Sequence, residues 1–498
     1  DMKGLGKIYK IVRFYPLCLI IGYFLTHCQV FLNNSHYALG FVARYCVGGI
    51  CPRLFAAGKP LPQGYLFKMR IAARVIFDWI KRMNKISIMF ANKFFFLNGG
   101  SERVFFQERD FLLRNGTKVV DFSMKDPRNF PSDCANYFVS NIDYYSTRGV
   151  LNKIKQGVKF VRSAEAINKL QGLIENEKPD IAHLHNIYHQ LTPSIISVLK
   201  RNGVRVVLTL HDGKLICPSY LMLAKGKVCT TCEGRSFWRP LVTNCVGSRR
   251  QEVLLMLEAY WHKWARSYEY VDIFLSPSRF LAKLVSQRIP ESKIRVLHNG
   301  IDLDAYSPGS SDHAYALYFG RLSREKGIET LLKTHSMLGN EMALKVVGAG
   351  PLEKGLRERY PNAEFLGYQA GDVLKETIAN SAFVVVPSEW YENCSMVVLE
   401  AMAMGKSVIG SRVGGIPEQI DEGKTGFLFE MGNVGELAAK MKALFQYPDM
   451  RRTMGMAARK KVEQEYSLDA HCTTLLKIYK ELLSENYDTT RLEKGLGV

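Results

Sequence analysis

The sequence predicts an α/β protein in which two doubly wound parallel-sheet domains follow an N-terminal hydrophobic extension. From Lys85 onward, short apolar runs alternate with stretches of helical periodicity, which is the pattern of buried parallel strands joined by helices. A second series of the same kind begins at Ala316. Residues 302–312, between the two series, are rich in Ser, Pro, Gly and Asp, a composition typical of a linker.

The predicted strands form two sets. The first set is 86–91, 181–184, 205–210, 273–276 and 294–297, and the second is 316–319, 343–347, 364–366, 383–386 and 407–409. A helix is predicted over 102–113. We assign residues 1–82 to the extension, 83–305 and 306–485 to the two domains, and 486–498 to a tail. Ligands bind such sheets beyond the carboxyl ends of the strands, so the loops there are where chemistry is expected.

The composition excludes a largely disordered chain. Of the 498 residues, 47% are hydrophobic and 23% are charged, which is an ordinary globular balance. The net charge of +20 favours an anionic partner, such as nucleic acid, an anionic lipid surface or a phosphorylated substrate, or else reflects a solvated basic surface. No recognition helix, aromatic platform or zinc-finger pattern accompanies the charge, so we expect no nucleic-acid partner.

The first 82 residues contain an apolar run from Phe14 to Leu25, which continues to Leu32 with interruptions at His27 and Gln29. A membrane-spanning helix needs ~20 predominantly apolar residues, so this run is marginal, and no convincing cleavage site follows it. We interpret it as a membrane-associated or interfacial segment. The alternative is sequence that does not belong to the catalytic fold.

Glycines follow two of the predicted strands. Gly99 and Gly100 come after the first strand and open a helix, where backbone amides attract phosphate. Gly348 lies in Val-Gly-Ala-Gly-Pro after another strand. That segment is not the complete dinucleotide fingerprint, which argues against a dehydrogenase. It indicates a tight turn near a nucleotide, and an ordinary turn is the alternative for the first pair.

Charged residues follow strands of the second domain. Arg321 and Lys326 lie after its first strand and could converge on a diphosphate, or could form a solvated basic loop. Glu392 lies in the loop after residue 386, and Glu400 lies within an apolar helix. A carboxylate there is costly unless it is paired or binds a ligand. Ribose hydroxyls and the end of a neighbouring helix are equally acceptable partners.

Five motifs follow one another along the chain. They are Gly-Gly-Ser-Glu-Arg-Val from Gly99, His-Leu-His from His183, Leu-His-Asp from Leu210, Gly-Arg-Leu-x-x-x-Lys-Gly from Gly320 and Glu-x7-Glu from Glu392. As an ordered set over about residues 83–485, they resemble family 4 of the glycosyltransferases, a large retaining family with the GT-B fold of two Rossmann-like domains across a cleft. The helix after Ser467 is also similar, because the family's last helix returns to pack on the first domain.

The resemblance implies a role for each functional side chain. The first domain would bind the acceptor and the second the nucleotide-sugar donor, a UDP- or GDP-sugar. His211 would contact the transferred sugar near the reacting centre. Arg321 and Lys326 would neutralise the diphosphate leaving group, so that catalysis requires no metal or other cofactor. Glu392 would bind hydroxyls of the donor sugar, and Glu400 would hold the ribose.

Backbone groups complete the implied donor site. Gly99 and Gly100 would present their backbone to the diphosphate, and amides at a helix N-terminus would add to the phosphate cradle. The other substrate-binding positions that the resemblance implies are Asn393, Cys394, Ser395, Met396 and Val397. This chain has Glu-Asn-Cys-Ser from Glu392, where the family commonly has Glu-Gly-Phe-Gly.

Four of the eleven cysteines lie close together in the first domain. They are Cys217, Cys229, Cys232 and Cys245. Zinc sites typically use cysteine pairs at x2 to x4 spacing, which only the central pair meets. Because such clusters in cytosolic proteins more often bind metal than form disulfides, we expect a structural zinc or a loop staple. Four unrelated buried thiols are the alternative.

Two basic stretches have amphipathic spacing. Ile154, Val158 and Val161 are flanked by lysines, and Arg249 and Arg250 precede a helix that is rich in aromatic residues. Such faces suit peripheral contact with an anionic membrane. In most proteins, however, the apolar face of such a helix packs against the core and its basic face is exposed to water. The expected location is the cytoplasmic inner face of the plasma membrane.

The function expected is retaining transfer of a sugar from a nucleotide-diphosphate sugar to a glycan or lipid-linked saccharide, in cell-surface polysaccharide biosynthesis. A sugar-nucleotide epimerase on the same fold is one alternative, and a basic nucleic-acid-binding protein is another. A phosphorylase is a third, but no lysine can be assigned to its cofactor.

Overall fold

The structure, a computed structural model, describes residues 86–142, 150–232, 236–309 and 312–495, without the side chains of 150–155, 340 and 485–495. The predicted N-terminal extension, residues 1–82, lies outside the described residues. No helix in the described part of the chain combines the length and the apolar character needed to cross a bilayer.

The first sheet has six parallel strands in the order β2-β1-β3-β4-β7-β8. They are β1 (Ser87–Ala91), β2 (Lys118–Phe122), β3 (Ile181–Leu184), β4 (Arg205–Thr209), β7 (Ile273–Ser276) and β8 (Ile294–Val296). A short hairpin, β5 (Leu223–Ala224) with β6 (Lys227–Val228), projects from the connection between β4 and β7. The helices are α1 (Gly100–Arg114), α2 (Val150–Val161), α3 (Ala164–Glu177), α4 (Ser194–Arg201), α5 (Pro240–Thr243), α6 (Arg249–Trp264) and α7 (Arg279–Val285).

The second sheet also has six parallel strands, in the order β11-β10-β9-β12-β13-β14. They are β9 (Tyr315–Phe319), β10 (Ala343–Val347), β11 (Glu364–Gly367), β12 (Phe383–Val386), β13 (Val408–Ser411) and β14 (Gly426–Phe429). Its helices are α8 (Ile328–Met337), α9 (Glu353–Arg359), α10 (Gly371–Ala379), α11 (Met396–Ala403), α12 (Ile416–Gln419), α13 (Val434–Gln446) and α14 (Pro448–Glu465).

Each predicted strand is present within one or two residues of its expected bounds, because central parallel strands are continuous apolar runs. β1, β9 and β12 are buried along their whole length. Besides the short hairpin strands β5 and β6, one strand of each large sheet was not predicted. β2 begins with an exposed lysine, Lys118, and carries Asp121, while β14 begins at a glycine, Gly426, so neither has an unbroken apolar run.

The last helix, α15 (Leu468–Gly495), returns to the first sheet. Leu475, Ile478 and Tyr479 are buried in the same hydrophobic core as β1 and β3, and the Tyr479 hydroxyl lies 2.7 Å from His183 Nδ1. The expectation that the helix after Ser467 packs on the first domain is confirmed. Where the domain boundaries lie stays a prediction.

Candidate active site

Loops that follow strands of both sheets meet at one place. Asn393, after β12, donates from Nδ2 to the carbonyl oxygen of His211, after β4, at 2.6 Å. The start of α1 also lies beside the start of α11, since a Cβ added to Gly100 would be 3.7 Å from Met396 Cγ. The carboxyl ends of the two sheets therefore share a site, as ligand binding in doubly wound proteins requires.

His211 lies at this junction as a neutral imidazole. Burial lowers its pKa to about 4, with Glu108 acting in the opposite direction. Its Nε2 lies 2.9 Å from Nδ1 of His185, and the two rings stack with centroids 5.1 Å apart. Burial also raises the pKa of the neighbouring Asp212 to about 6. With Nε2 at His185, the neutral ring keeps Nδ1 for contact with a sugar hydroxyl, as donor or acceptor according to its tautomer.

Glu392 and Lys326 form an ion pair at the end of the second sheet. Lys326 Nζ donates to Glu392 Oε1 at 2.6 Å, and the Ser388 hydroxyl donates to the same oxygen at 2.9 Å. Burial opposes the charge of the Glu392 carboxylate, but Lys326 and these hydrogen bonds outweigh it and lower the pKa. Glu392 is therefore ionised and Lys326 is held in place.

Arg321, the other predicted cation, is exposed and forms no ion pair with any described residue. Its loop is held by backbone packing. Gly348 has a φ of +136°, and a Cβ there would lie 1.9 Å from the carbonyl oxygen of Gly320. Only glycine permits that approach. The structure thus assigns Gly348 a packing role beneath the loop, while contact with substrate stays a prediction.

Glu400 is paired across the two halves of the protein. Its buried carboxylate accepts a hydrogen bond from the Arg103 guanidinium of α1, and Tyr306 is a second hydrogen-bond partner. Burial raises the pKa of the Glu400 carboxyl, although Arg103 acts in the opposite direction. Its partners are side chains and not the end of a neighbouring helix, so a capping role is not what the structure shows. Its ribose role stays a prediction.

The loop before α11 is only partly available as a phosphate cradle. The Ser395 amide donates to Gln419 Oε1 at 2.8 Å, so it is already used. Cys394 is buried, and burial raises the pKa of its thiol to about 12. The amides of Met396 and Val397 lie in the first turn of α11, where unpaired N–H groups are expected.

A glycine pair that is absent from the sequence-based predictions shapes this loop. A Cβ on Gly414 would lie 2.2 Å from the Glu392 carbonyl oxygen, and one on Gly415 would lie 1.7 Å from that of Asn393. Glu418 nearby accepts from the amides of Arg279 and Phe280, at 2.8 and 2.7 Å, and so joins α7 of the first sheet to the second. A Gly-Gly after a strand was the signal that could have revealed it.

The four clustered cysteines come together around the β5–β6 hairpin. Burial raises the pKa of the Cys232 thiol to about 12, and Cys217, Cys229 and Cys245 add to the effect. All four are free thiols. In the described parts of the chain, the group of potential ligands whose atoms all lie within 4.8 Å of one another is Glu108, His183 and His185, which includes no cysteine. The zinc site stays a prediction.

Two sequence-family models match most of the described chain. Residues 98–305 match the family described as Glycosyltransferase Family 4, and residues 305–461 match Glycosyl transferases group 1. The chain belongs to the family 4 glycosyltransferases. Because both families consist of glycosyltransferases, neither the epimerase nor the nucleic-acid-binding alternative is favoured.

Proteins that are similar to this chain in sequence are also named as glycosyltransferases. The chain is 31% identical over 213 residues to the sulfoquinovosyl transferase of Arabidopsis thaliana, covering 39% of this chain and 41% of that protein. It is 25% identical over 335 residues to an uncharacterized glycosyltransferase of Methanocaldococcus jannaschii, covering 66% and 82%. Its fold is similar to the sucrose-phosphate synthase of Thermosynechococcus elongatus, with a TM-score of 0.62 at 18% identity over 80% of this chain and 100% of that one. The GT-B fold is confirmed.

Proposed function

We propose that this glycosyltransferase moves a sugar from a UDP- or GDP-sugar to a glycan or lipid-linked saccharide, with retention and without a required metal. The observation that supports this most is that a loop of the first sheet and a loop of the second sheet, which carry different kinds of side chain, are in contact. The neutral His211 comes from one sheet, and the Lys326–Glu392 pair comes from the other, with Asn393 joining them. A sugar between them would have hydroxyl partners on one side and cations on the other.

The two cations would be suited to stabilise the negative charge that develops during sugar transfer. As the glycosidic bond breaks, negative charge grows on the departing diphosphate, and fixed positive groups there lower the barrier. Lys326 is oriented by Glu392, whereas Arg321 is exposed and free to fold onto a bound phosphate. Together they would supply charge that some transferases obtain from a metal.

The Glu400 site suits the nucleoside end of the donor. Its carboxylate has Arg103 and Tyr306 as partners, and ribose hydroxyls would add donors to the same acceptor oxygens. Because burial raises the pKa of Glu400, added hydrogen bonds from a ligand would favour its charged form.

An exposed apolar stripe on α6 supports a membrane-bound acceptor. Val253, Leu257, Trp261 and Trp264 are all exposed, and their spacing of four, four and three places them on one face of the helix. Arg249 and Arg250 lie at the start of the same helix. Cations beside exposed tryptophans suit an anionic lipid surface. In cells, such contact would place the enzyme at the inner face of the plasma membrane.

Incubation with radiolabelled UDP- and GDP-sugars tests the reaction. We expect label to pass to a lipid extract or a glycan and to require Lys326. Epimerised nucleotide-sugar without transfer would contradict the proposal.

Flotation with vesicles that contain anionic lipid tests whether the exposed face of α6 binds a membrane. Wild type should bind and Trp261→Glu should not, whereas equal binding by both would exclude α6 as the contact.

A further inference from the structure

A buried cluster of ionisable groups lies behind His211. Glu108 of α1 is 1% exposed, and three histidines lie around it. His183 and His185 come from β3 and the residue after it, and His471 comes from α15. Nδ1 of His183 lies 3.3 Å from Glu108 Oε2, and Nε2 of His471 lies 3.0 Å from Oε1.

His471 contacts both the Glu108 carboxylate and the backbone. Its Nδ1 lies 2.6 Å from the carbonyl oxygen of His298 while its Nε2 faces Glu108. A carbonyl oxygen and a carboxylate are both hydrogen-bond acceptors, so the His471 ring has an acceptor on each side. Burial opposes the charge of Glu108, yet His183 and His471 outweigh it and lower the pKa of that carboxyl. The cluster thus contains an ionised carboxylate among histidine rings.

His185 connects this carboxylate to the active site. Its Nε2 lies 3.6 Å from Glu108 Oε2, and neither atom has a hydrogen-bond partner among the described residues. On its other side, Nδ1 lies 2.9 Å from Nε2 of His211. Burial lowers the pKa of His185 well below its ordinary value, so the ring is neutral and carries one proton. That proton is more stable on the nitrogen facing the negative carboxylate.

The proton positions then follow in sequence. With its proton on Nε2, His185 presents a bare Nδ1, which can only accept. His211 must therefore donate from Nε2, and because its ring is also neutral, its Nδ1 is left as an acceptor.

We propose that Glu108 is a positioning residue which, through His185, keeps Nδ1 of His211 unprotonated and so makes it an acceptor for a sugar hydroxyl. What His211 contacts rests on the proposed function, whereas its tautomer does not. A glutamine at position 108 can donate instead of accept. It would reverse the proton on His185 and, in turn, the proton on His211.

Nitrogen-15 NMR of histidine-labelled protein tests the tautomer directly, with His211→Ala identifying the His211 signals. We expect a bare Nδ1 in wild type and a protonated Nδ1 in Glu108→Gln. A protonated Nδ1 in wild type would overturn the proposal without any variant at position 108. This measurement needs no activity, so a failure of the proposed sugar transfer remains distinguishable from a failure of the inference.

Kinetics separate positioning from mere structural support. Groups that orient metal-ligating imidazoles typically contribute ten- to a hundredfold, and by the same reasoning Glu108→Gln should lower kcat by about that factor with little change in donor KM. Glu108→Asp, which keeps the charge, should recover part of the loss. Glu252→Gln removes another fully buried carboxylate, whose partner is the Val246 amide, and should keep wild-type kcat.

A double-mutant cycle completes the test. In a His211→Ala background, Glu108→Gln should cause no further loss of kcat, because the residue it acts through is gone. Equal losses in both backgrounds would mean that Glu108 only stabilises the fold. Metal that copurifies with wild type and is lost from Glu108→Gln would also overturn the proposal, since Glu108, His183 and His185 would then be ligands.

Discussion

The two halves of the active site are built on different principles. The half from the first sheet centres on His211 and His185, neutral rings whose pKa values burial lowers. The half from the second sheet combines close backbone approaches at glycines with the Lys326–Glu392 ion pair. One half is suited to hydroxyl recognition and the other to charge. The proposed sugar transfer would need both, because a nucleotide-sugar donor joins a sugar to an anionic leaving group.

The largest effect is expected when a cation is removed from the second half of the active site. Arg321→Ala and Lys326→Ala should each lower turnover by roughly a hundred- to a thousandfold, or ~2.7–4 kcal/mol in the barrier, because only contacts that strengthen in the transition state accelerate chemistry. Ground-state donor affinity should fall less. Steady-state kinetics measure both, and Lys333→Ala, an exposed lysine on α8, is the control. Near-normal turnover in both variants would remove this loop from the diphosphate site.

The next largest effect is expected at Glu400, which joins the two halves of the site through its ion pair with Arg103. Glu400→Gln should weaken donor binding by about tenfold, since the amide loses the charge and one acceptor that ribose hydroxyls would use. Isothermal titration calorimetry with the nucleoside diphosphate gives the affinity. Equal affinity in wild type and variant would leave Glu400 as a partner of Arg103 alone.

A smaller effect concerns stability at acid pH, which should depend more on the histidines of the first half of the site than on the ion pair of the second half. Burial lowers the pKa of both His183 and His211 to about 4, below the ~6.5 of an unfolded chain. The unfolded state therefore binds more protons between these values, and stability is lost as the pH falls from about 6.5 to 4. Each kcal/mol lost lowers Tm by roughly 2–4 °C. Thermal melts from pH 7.5 to 5 should show a steeper decline in wild type than in His211→Gln, and parallel curves would contradict this.

The smallest catalytic effect belongs to the cysteine cluster, which is outside both halves. Under reducing conditions we expect one zinc per chain, held by Cys217, Cys229, Cys232 and Cys245. Cys232→Ser should lose the metal and lower Tm while kcat stays near wild type. Elemental analysis and thiol titration decide the question, and four reactive thiols without stoichiometric metal would leave only buried cysteines.

Expectations from sequence were best where one local pattern carries the information. The apolar runs of β9 and β12 and the Lys326 loop were identified because strand burial and strand-end glycines show in a few adjacent residues. β14 was missed because it begins at Gly426. Gly415 was missed because its need for glycine comes from the Asn393 carbonyl on another loop.

By itself, the sequence determined the class of fold, most of the strands of its two large sheets and the family of the enzyme. Only the tertiary structure decided the partners of the buried charges. Arg103 and Glu400 are 297 positions apart, and Glu108 and His471 are 363 apart. The cost of burying a charge is visible in a local sequence, but the group that offsets it is whichever side chain the fold brings near.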